Sequence, residues 1–480
     1  MEKLVRIYLF QRILWDGNFV AVDIYISKYN DVYNLLCEYY KEDFIGGKLI
    51  MDNNYDFTIK KKQKTYILIY VICLFSLIKL NFMHPGQAVT DIFFSNRNDS
   101  GMDFFNPVVF ASNNLADMFK NMDGITYPSF AVCFFRFLYI CIPSEIIESC
   151  NGDVLLLRGN QFLFVEYIFS VVTAVVITTV MIEVIIKKNL GENYYTIFPF
   201  IITLSYGMIY AIERGNIVFF VPMLILIYIY YKDDNRWYVR EVALISIAIA
   251  AGLKIYPAFW GILLLVDKRI YDAIRTLVYG VICLVGPMIY YGGFNAVEKW
   301  INNLTGFNSI QGNVSDLAGC GAVQLARTIC YLLGINEKNA NIIYTFVGNT
   351  QMLICIVLLL GVFILKKNWE KYCAIVLMMI FFPRWSNDYC YIYFMIPFIF
   401  VLCDREWTKS NSFFYYMLGS LLIIYLLPKF IVFEKQNYAF EVSDMMRQIV
   451  VIIILFKLLY MIVRRCIYIL KRKNPQKYRN

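Results

Sequence analysis

Residues 161–186 read QFLFVEYIFSVVTAVVITTVMIEVII and are followed directly by Lys187 and Lys188. A helix of about 20 mostly apolar residues crosses the roughly 30 Å hydrocarbon layer of a bilayer, so this stretch is long enough to span a membrane. The two lysines place its end in the cytoplasm, because basic clusters beside a span stay on the cytoplasmic side. The stretch therefore predicts a transmembrane helix of defined direction.

The composition is that of an integral membrane protein. Of the 480 residues, 59% are hydrophobic, against about 45–50% in soluble domains. Apolar stretches of spanning length recur with short polar connections, and the alternating pattern of a β-barrel is absent. We therefore predict an all-α polytopic membrane protein with about 12 transmembrane helices and a large first external loop.

The basic clusters agree with one orientation of all the predicted spans. The lysine-rich residues 60–64 place the amino terminus in the cytoplasm, and the basic residues 471–479 place the carboxyl terminus on the same side. Residues 127–142 are then a short embedded or interfacial helix that does not cross, and residues 292–344 are a long external segment. The predicted spans are 65–82, 161–186, 194–212, 216–231, 239–253, 255–266, 271–291, 345–365, 372–382, 389–403, 413–432 and 449–470.

Three regions of the chain differ in composition. Residues 1–64 are polar and mixed in charge, and they lack the compact apolar core of a secretory signal. Residues 65–470 hold the predicted spans, and residues 471–480 form a basic cytosolic tail. We predict that the first region is a cytosolic extension of unknown role. Met51 precedes the lysine cluster, so a start assigned too early is the alternative.

Charge, histidine and cysteine content exclude several classes of function. The formal net charge of +9 lies in short clusters between apolar runs, which favours membrane lipids over nucleic acid as partners. His84 is the only histidine, so a histidine triad or a multi-histidine site is excluded, and we predict no metal. The 13 cysteines show no close Cys-x-x-Cys spacing and lie mostly in apolar stretches. Cys320 and Cys330 share the predicted external segment, and the sequence leaves open whether they pair.

A polar interval at residues 84–128 carries the first candidate for chemistry. Asp103 lies in GMDFFN at residues 101–106, where the neighbouring aromatic side chains prefer the membrane interface. A carboxylate at the bilayer centre costs roughly 2.5–3.5 kcal/mol, so a loop just outside the hydrocarbon is where one stays ionised. Asp103 is thus suited to act as a base, with Asp91 in reserve. A solvated loop acid is the alternative.

Two further polar interruptions fall on the same predicted external face. Glu213, Arg214 and Asn216 form a glycine-containing turn between two spans. A plain Glu–Arg pair at helix ends is the alternative for this turn. Lys254 interrupts a long apolar run, either as a cation for a lipid phosphate or as a lysine that reaches to the interface.

The last interruption is PRWSNDY at residues 383–389. Arg384 suits a bidentate contact to phosphate, and Trp385 and Asp388 add an aromatic ring and an acid. An interfacial anchor of Trp, Tyr and Arg is the alternative interpretation. Ionisable groups at membrane depth usually face a cavity, so the coincidence of these sites on one side predicts a common external cavity.

Together these motifs resemble glycosyltransferase family 87, the polyprenol-phosphate-mannose-dependent mannosyltransferases and their relatives in the C-type glycosyltransferase superfamily. The resemblance extends over residues 65–470 and is most specific at residues 212–269. Ser129 stands where such proteins often have a second proline, and Asn216 stands where glutamine often follows the glycine. The motifs that carry it are Asp103-Phe104, Tyr127-Pro128, Arg214-Gly215-Asn216, AGLKIYP at residues 251–257 and PRWSNDY at residues 383–389.

The resemblance implies a C-type glycosyltransferase fold for residues 65–470 and a role for each site residue. Asp103 would be the general base. Lys254 and Arg384 would bind the donor phosphate. The cavity would be lined by Tyr127, Glu213, Arg214, Asn216, Tyr256, Trp385 and Asp388.

The resemblance also implies an inverting transfer of a mannose-like hexose from a polyprenyl-phosphate donor to a glycolipid or polysaccharide acceptor. The lipid-linked sugar would be a co-substrate, with no further cofactor and no metal. The reaction would take place on the external face of the plasma (inner) membrane, in envelope or surface polysaccharide assembly. Rival interpretations are a transporter or flippase for a lipid-linked saccharide and a non-catalytic scaffold of a glycan-assembly complex.

Overall fold

Helices form nearly all of the part of the chain that the computed structural model describes. The described residues lie in the unit Tyr55–Asn480. They are residues 60, 63–68, 70–72, 75, 101–111, 114–121, 125–149, 156, 161–311, 319–383, 386–404, 432–435 and 438–473.

The helices differ widely in length. One short antiparallel ribbon, β1 (Val432–Lys435) and β2 (Tyr438–Glu441), directly precedes the last helix. Because the ribbon is so short, the described part of the chain is still of the predicted helical class. Short 3-10 helices lie at Ile217–Phe220, Tyr256–Gly261 and Asp388–Phe394. The α-helices are α1 (Met102–Phe110), α2 (Leu115–Lys120), α3 (Ser129–Cys141), α4 (Ser144–Ser149), α5 (Gln161–Leu190), α6 (Phe198–Thr203), α7 (Tyr206–Arg214), α8 (Val221–Tyr231), α9 (Trp237–Leu253), α10 (Ile262–Val266), α11 (Ile270–Gln311), α12 (Ala322–Leu332), α13 (Glu337–Ile364), α14 (Asn368–Phe381), α15 (Met395–Leu402) and α16 (Val442–Lys473).

Four stretches within the described helices are long and apolar enough to cross a membrane. They agree with four of the predicted spans, which confirms a helical membrane protein, while the total of about 12 spans stays a prediction. The predicted spans at 65–82 and 413–432 lie largely outside the described residues. The four stretches are Leu163–Leu190, Ile270–Gly306, Lys338–Ile364 and Asp444–Leu470, and shorter apolar helices lie at Ser129–Cys141, Ile217–Tyr231, Tyr256–Val266 and Asp388–Leu402.

Two segments differ from the sequence prediction because polar residues cap helices inside them. The predicted span 194–212 is divided into α6 and α7, since the Ser205 hydroxyl accepts a hydrogen bond from the Met208 amide and starts a new helix. The predicted external segment 292–344 is largely helical. Helix α11 continues to residue 311 with a break at Gly293 (φ 66°), and α13 begins behind the cap Asn336.

The burial pattern separates core helices from lipid-facing ones. Helix α14 is buried on almost every side and packs against α13 and α15. Helix α5, by contrast, exposes apolar side chains such as Phe169, which is 72% exposed. Such a surface is suited to lipid, where the backbone hydrogen bonds are satisfied within each helix.

Helix α7 and the 3-10 helix Asp388–Phe394 meet at Gly207. A Cβ atom on Gly207 would lie 2.2 Å from the Ile392 backbone nitrogen and 2.7 Å from its Cα. Backbone atoms cannot turn aside as the end of a flexible side chain can, so a side chain at residue 207 would force the two helices apart.

We expect Gly207→Ala to lower the thermal stability of the purified protein. The added methyl group overpacks the backbone, at a cost of about 1–3 kcal/mol in unfolding free energy. Gly280→Ala is the matched control, because a Cβ atom at Gly280 meets no heavy atom within 4 Å and alanine favours a helix. Thermal unfolding in detergent compares the two variants, and equal Tm values would contradict the close contact at Gly207.

Candidate active site

Two glycines bring the loop of Asp103 against the turn that follows α7. Gly101 precedes α1 with a φ of 73°, and Gly215 follows α7 with a φ of 68°, a left-handed conformation that favours glycine. The Gly101 amide donates to the Glu213 carbonyl at 2.7 Å. A Cβ atom on Gly215 would lie 2.8 Å from the Gly101 carbonyl oxygen. The contact therefore leaves no room for a side chain at residue 215.

This approach places the Asp103 carboxylate between two donors. Arg214 Nη2 donates to its Oδ1 at 3.1 Å, and Asn216 Nδ2 donates to its Oδ2 at 2.7 Å. Asn216 is held in turn, since its Oδ1 accepts from the Val218 amide at 3.1 Å. Each carboxylate oxygen has a further lone-pair direction, and the Asp103 side chain is 23% exposed. Asp103 is thus fixed in orientation and still accessible to a hydroxyl group.

The surroundings of Asp103 also set its basicity. Burial raises the pKa of Asp103 above its usual value, while the hydrogen bond from Asn216 and the positive charge of Lys254 act in the opposite direction. Desolvation has this effect because it disfavours the charged form of a carboxyl group. A carboxylate whose pKa is raised takes a proton more readily than an ordinary aspartate, which suits a general base.

A cavity of about 210 Å³ opens beside Asp103 between α1, α2 and α3. Among the described residues that line it, Asp103 is the charged one, and the others are a few polar side chains mixed with apolar ones. A cavity of this kind suits a neutral group with both a hydroxyl and an apolar face. The lining residues are Met102, Asp103, Asn106, Pro107, Phe110, Ala111, Met118, Ile125, Thr126, Tyr127, Val132 and Phe135.

One wall of this cavity is held by the carboxyl-terminal part of α11. Trp300 Nε1 donates to the Thr126 carbonyl at 3.1 Å, and Asn303 Nδ2 donates to the Ile125 carbonyl at 3.0 Å. These bonds fix the backbone that leads into Tyr127. Sequence reasoning missed Trp300 and Asn303 because they lie in the segment 292–344, which was predicted to be a long external segment. Their spacing of one helical turn is the signal that was present.

Lys254 lies directly after α9, with its ammonium group between two tyrosine rings. Its Nζ is 5.0 Å from the ring centroid of Tyr127 and 5.8 Å from that of Tyr389. The Tyr127 hydroxyl donates to the backbone carbonyl of Asp103 at 3.5 Å. The structure therefore brings Asp103, Tyr127 and Lys254 together. Tyr389, which ends the motif at residues 383–389, was not among the predicted site residues.

The other predicted site residues lie around this centre or outside the described residues. Tyr256 follows Lys254 at the start of a 3-10 helix, and Glu213 is buried behind the turn. Asp388 is 2% exposed, and its charge acts on Arg447 of α16. The residues outside the described ranges are Asp91, Arg384 and Trp385.

Within the described ranges, the cysteines do not form the Cys320–Cys330 disulfide, and the acids and thiols do not cluster as a metal site. Cys320 and Cys330 are free, so the pairing that the sequence left open is not formed. Cys320 Sγ instead donates to the Asn387 carbonyl at 3.4 Å. Among the described side chains, no three of the His, Cys, Asp or Glu type come together as a metal site. The lack of a metal requirement stays a prediction.

Comparison with known proteins agrees with this arrangement. The model of glycosyltransferase family 87 matches residues 126–383, more than half of the 480-residue chain. The match includes Tyr127, the Arg214 turn and Lys254, and it begins after Asp103. No curated protein and no solved structure matches the chain. The chain belongs to glycosyltransferase family 87 and is a membrane glycosyltransferase.

Proposed function

We propose that the protein transfers a mannose-like hexose from a polyprenyl-phosphate donor to a hydroxyl group of a glycolipid or polysaccharide acceptor. One observation carries this proposal. Asp103 and Lys254 both contact Tyr127, so a carboxylate that can accept a proton and a cation that attracts a phosphate border one site. The proposed reaction requires both groups, because a hydroxyl group is deprotonated while a phosphate leaves.

Asp103 is the general base in this proposal. The acceptor hydroxyl enters from the cavity beside Asp103 and attacks the anomeric carbon of the donor sugar. Its proton passes to a free lone pair of the Asp103 carboxylate. Attack from the side opposite to the phosphate inverts the configuration at that carbon. Asp91 is the reserve candidate for the base.

Lys254 binds the donor phosphate in this proposal. As the new bond forms, the bond from the anomeric carbon to the phosphate oxygen breaks, and the lipid phosphate leaves with the electron pair. A phosphate is a stabilised anion, so its departure needs charge compensation and neither a strong acid nor a metal. Lys254 supplies one positive charge, and Arg384 is proposed to supply a second.

The reaction is proposed to take place on the external face of the plasma (inner) membrane, with both chain termini in the cytoplasm. The orientation follows from the basic clusters at residues 187–188 and 471–479, which mark the cytoplasmic side. Asp103 and Lys254 then fall on the opposite side. Envelope or surface polysaccharide assembly takes place on that face.

We expect Asp103→Asn to lower kcat for hexose transfer by about 10² to 10⁴-fold, because an amide cannot accept the proton. Asp117→Asn is the control, since Asp117 is an exposed acid on the neighbouring helix α2. The assay follows release of polyprenyl phosphate and formation of product by purified protein. Full activity of Asp103→Asn would rule out this base. Movement of a lipid-linked saccharide across vesicles without bond formation would indicate a transporter instead.

We expect kcat/KM to fall as the pH is lowered, with a midpoint above about 3.9, the usual pKa of an aspartate. The base is active when ionised, and burial raises the pKa of Asp103, so protonation removes activity at a higher pH than for an exposed aspartate. Asn216→Ser shortens the side chain that lowers this pKa, and the midpoint should move to still higher pH. A flat profile down to pH ~4 would contradict the assignment.

We expect Lys254→Met to weaken binding of polyprenyl phosphate by about tenfold or more, the usual effect of losing a charged partner of a phosphate. Lys120→Met is the control, because Lys120 is an exposed lysine at the end of α2. The measurement is the Kd of polyprenyl phosphate for the purified protein. Equal affinities of the two variants would remove Lys254 from the donor site.

A further inference from the structure

A row of aromatic rings connects Lys254 to the interior of the protein. The ring of Tyr206 stacks on that of Tyr210, with centroids 5.8 Å apart and planes at 14°. Tyr210 in turn stacks on Tyr389, at 6.5 Å and 22°. Lys254 Nζ lies 5.8 Å from the Tyr389 centroid. These distances are within the range in which aromatic pairs attract each other. We call Tyr206, Tyr210 and Tyr389 the tyrosine stack.

The other end of the tyrosine stack is fixed by Arg447. Its guanidinium carbon lies 3.5 Å from the centroid of the Tyr206 ring, and its side chain is fully buried. Arg447 pairs with Asp444, and the charge of Asp388 also acts on it. A buried cation has few alternative positions, because leaving its partners would leave its charge unpaired in a medium of low dielectric constant. Tyr206 is therefore held against a rigid group.

The chain itself sets the spacing within the tyrosine stack. Tyr206 and Tyr210 are four residues apart on α7, so they occupy the same face of the helix. Tyr389 comes from the 3-10 helix Asp388–Phe394, which is pressed against α7 at Gly207. The tyrosine stack thus ties two separate segments together at the position where Tyr389 meets Lys254.

We propose that Tyr206 and Tyr210, held by Arg447, are positioning residues that keep Tyr389 against Lys254 and so fix the ammonium group for the donor phosphate. The proposal rests on the proposed phosphate-binding role of Lys254. Neither Tyr206 nor Tyr210 lines the cavity beside Asp103. We therefore expect changes in the tyrosine stack to affect the binding of the donor more than that of the acceptor.

The test removes the middle ring. Tyr210→Leu should weaken the binding of polyprenyl phosphate by about fivefold to tenfold, because Tyr389 then loses the ring that holds it and its cation–π contact with Lys254 is lost with it. KM for the lipid-linked donor should rise with kcat nearly unchanged. Tyr210→Phe keeps the ring and should bind within about twofold of the unmodified protein. The probe is polyprenyl phosphate without sugar, titrated into the purified full-length chain.

Tyr139→Leu is the matched control. Tyr139 is a half-buried tyrosine on α3, and the Arg136 guanidinium carbon lies 5.0 Å from its ring centroid. Its loss removes an aromatic ring and a cation–π contact that belongs to Arg136 and not to Lys254. Polyprenyl phosphate should therefore bind to Tyr139→Leu with unchanged affinity. Tyr210→Met, which fills the space without a ring, replaces Tyr210→Leu in the titration if the leucine variant is not recovered in folded form.

The outcomes separate the tyrosine stack from the function on which it rests. Weak binding by Lys254→Met together with normal binding by both Tyr210→Leu and Tyr210→Met would overturn the positioning role alone. Normal binding by Lys254→Met would overturn both proposals. A lower Tm of Tyr210→Leu with an unchanged Kd would show a purely structural role and would also overturn the proposal. Weak binding by Tyr210→Leu with recovery in Tyr210→Phe would support it.

Discussion

The contact between Gly101 and Gly215 is the constraint on which the candidate site depends. Asp103 and its two donors come from segments far apart in the sequence, and the donors reach the carboxylate because the two backbones touch. The hydrogen bond from Gly101 to the Glu213 carbonyl closes this contact. Both glycines have positive φ angles, which side chains disfavour. The backbone contact therefore brings the side chains of the site together, and their charges then stabilise the arrangement.

Charge compensation follows from that geometry. A carboxylate moved out of water without partners costs several kcal/mol and tends to become protonated. Arg214 and Asn216 offset this cost for Asp103, and Lys254 adds a positive charge at longer range. The result is an acid that remains partly solvated and ionisable next to apolar segments. An identical aspartate in an open loop would be ionised too, but its orientation would not be defined.

The sequence predicted the class of the protein and the members of the central site better than it predicted the helices that support them. Long apolar runs such as residues 161–186 identify spans by length alone, and the motif at residues 251–257 marked Lys254. Hydropathy did not show that Ser205 divides one predicted span, or that α11 continues past Gly293 to carry Trp300 and Asn303. Those features depend on single capping residues and on long-range hydrogen bonds. Tyr206, Tyr210 and Arg447 were missed for the same reason, since a row of rings from two segments that ends on an arginine from a third exists only in the fold.

The way in which Lys254 is held fits the role proposed for it. Arg214 forms the direct ion pair with Asp103, so the acid does not need Lys254 as its immediate partner. In the described part of the chain, the Lys254 ammonium group faces the rings of Tyr127 and Tyr389. Ring faces attract a cation without neutralising it, whereas a carboxylate would cancel its charge. Burial lowers the pKa of Lys254, and the negative charge of Asp103 acts in the opposite direction. A phosphate that arrives beside the ammonium group would therefore stabilise its charged form further, and the surrounding rings set its position.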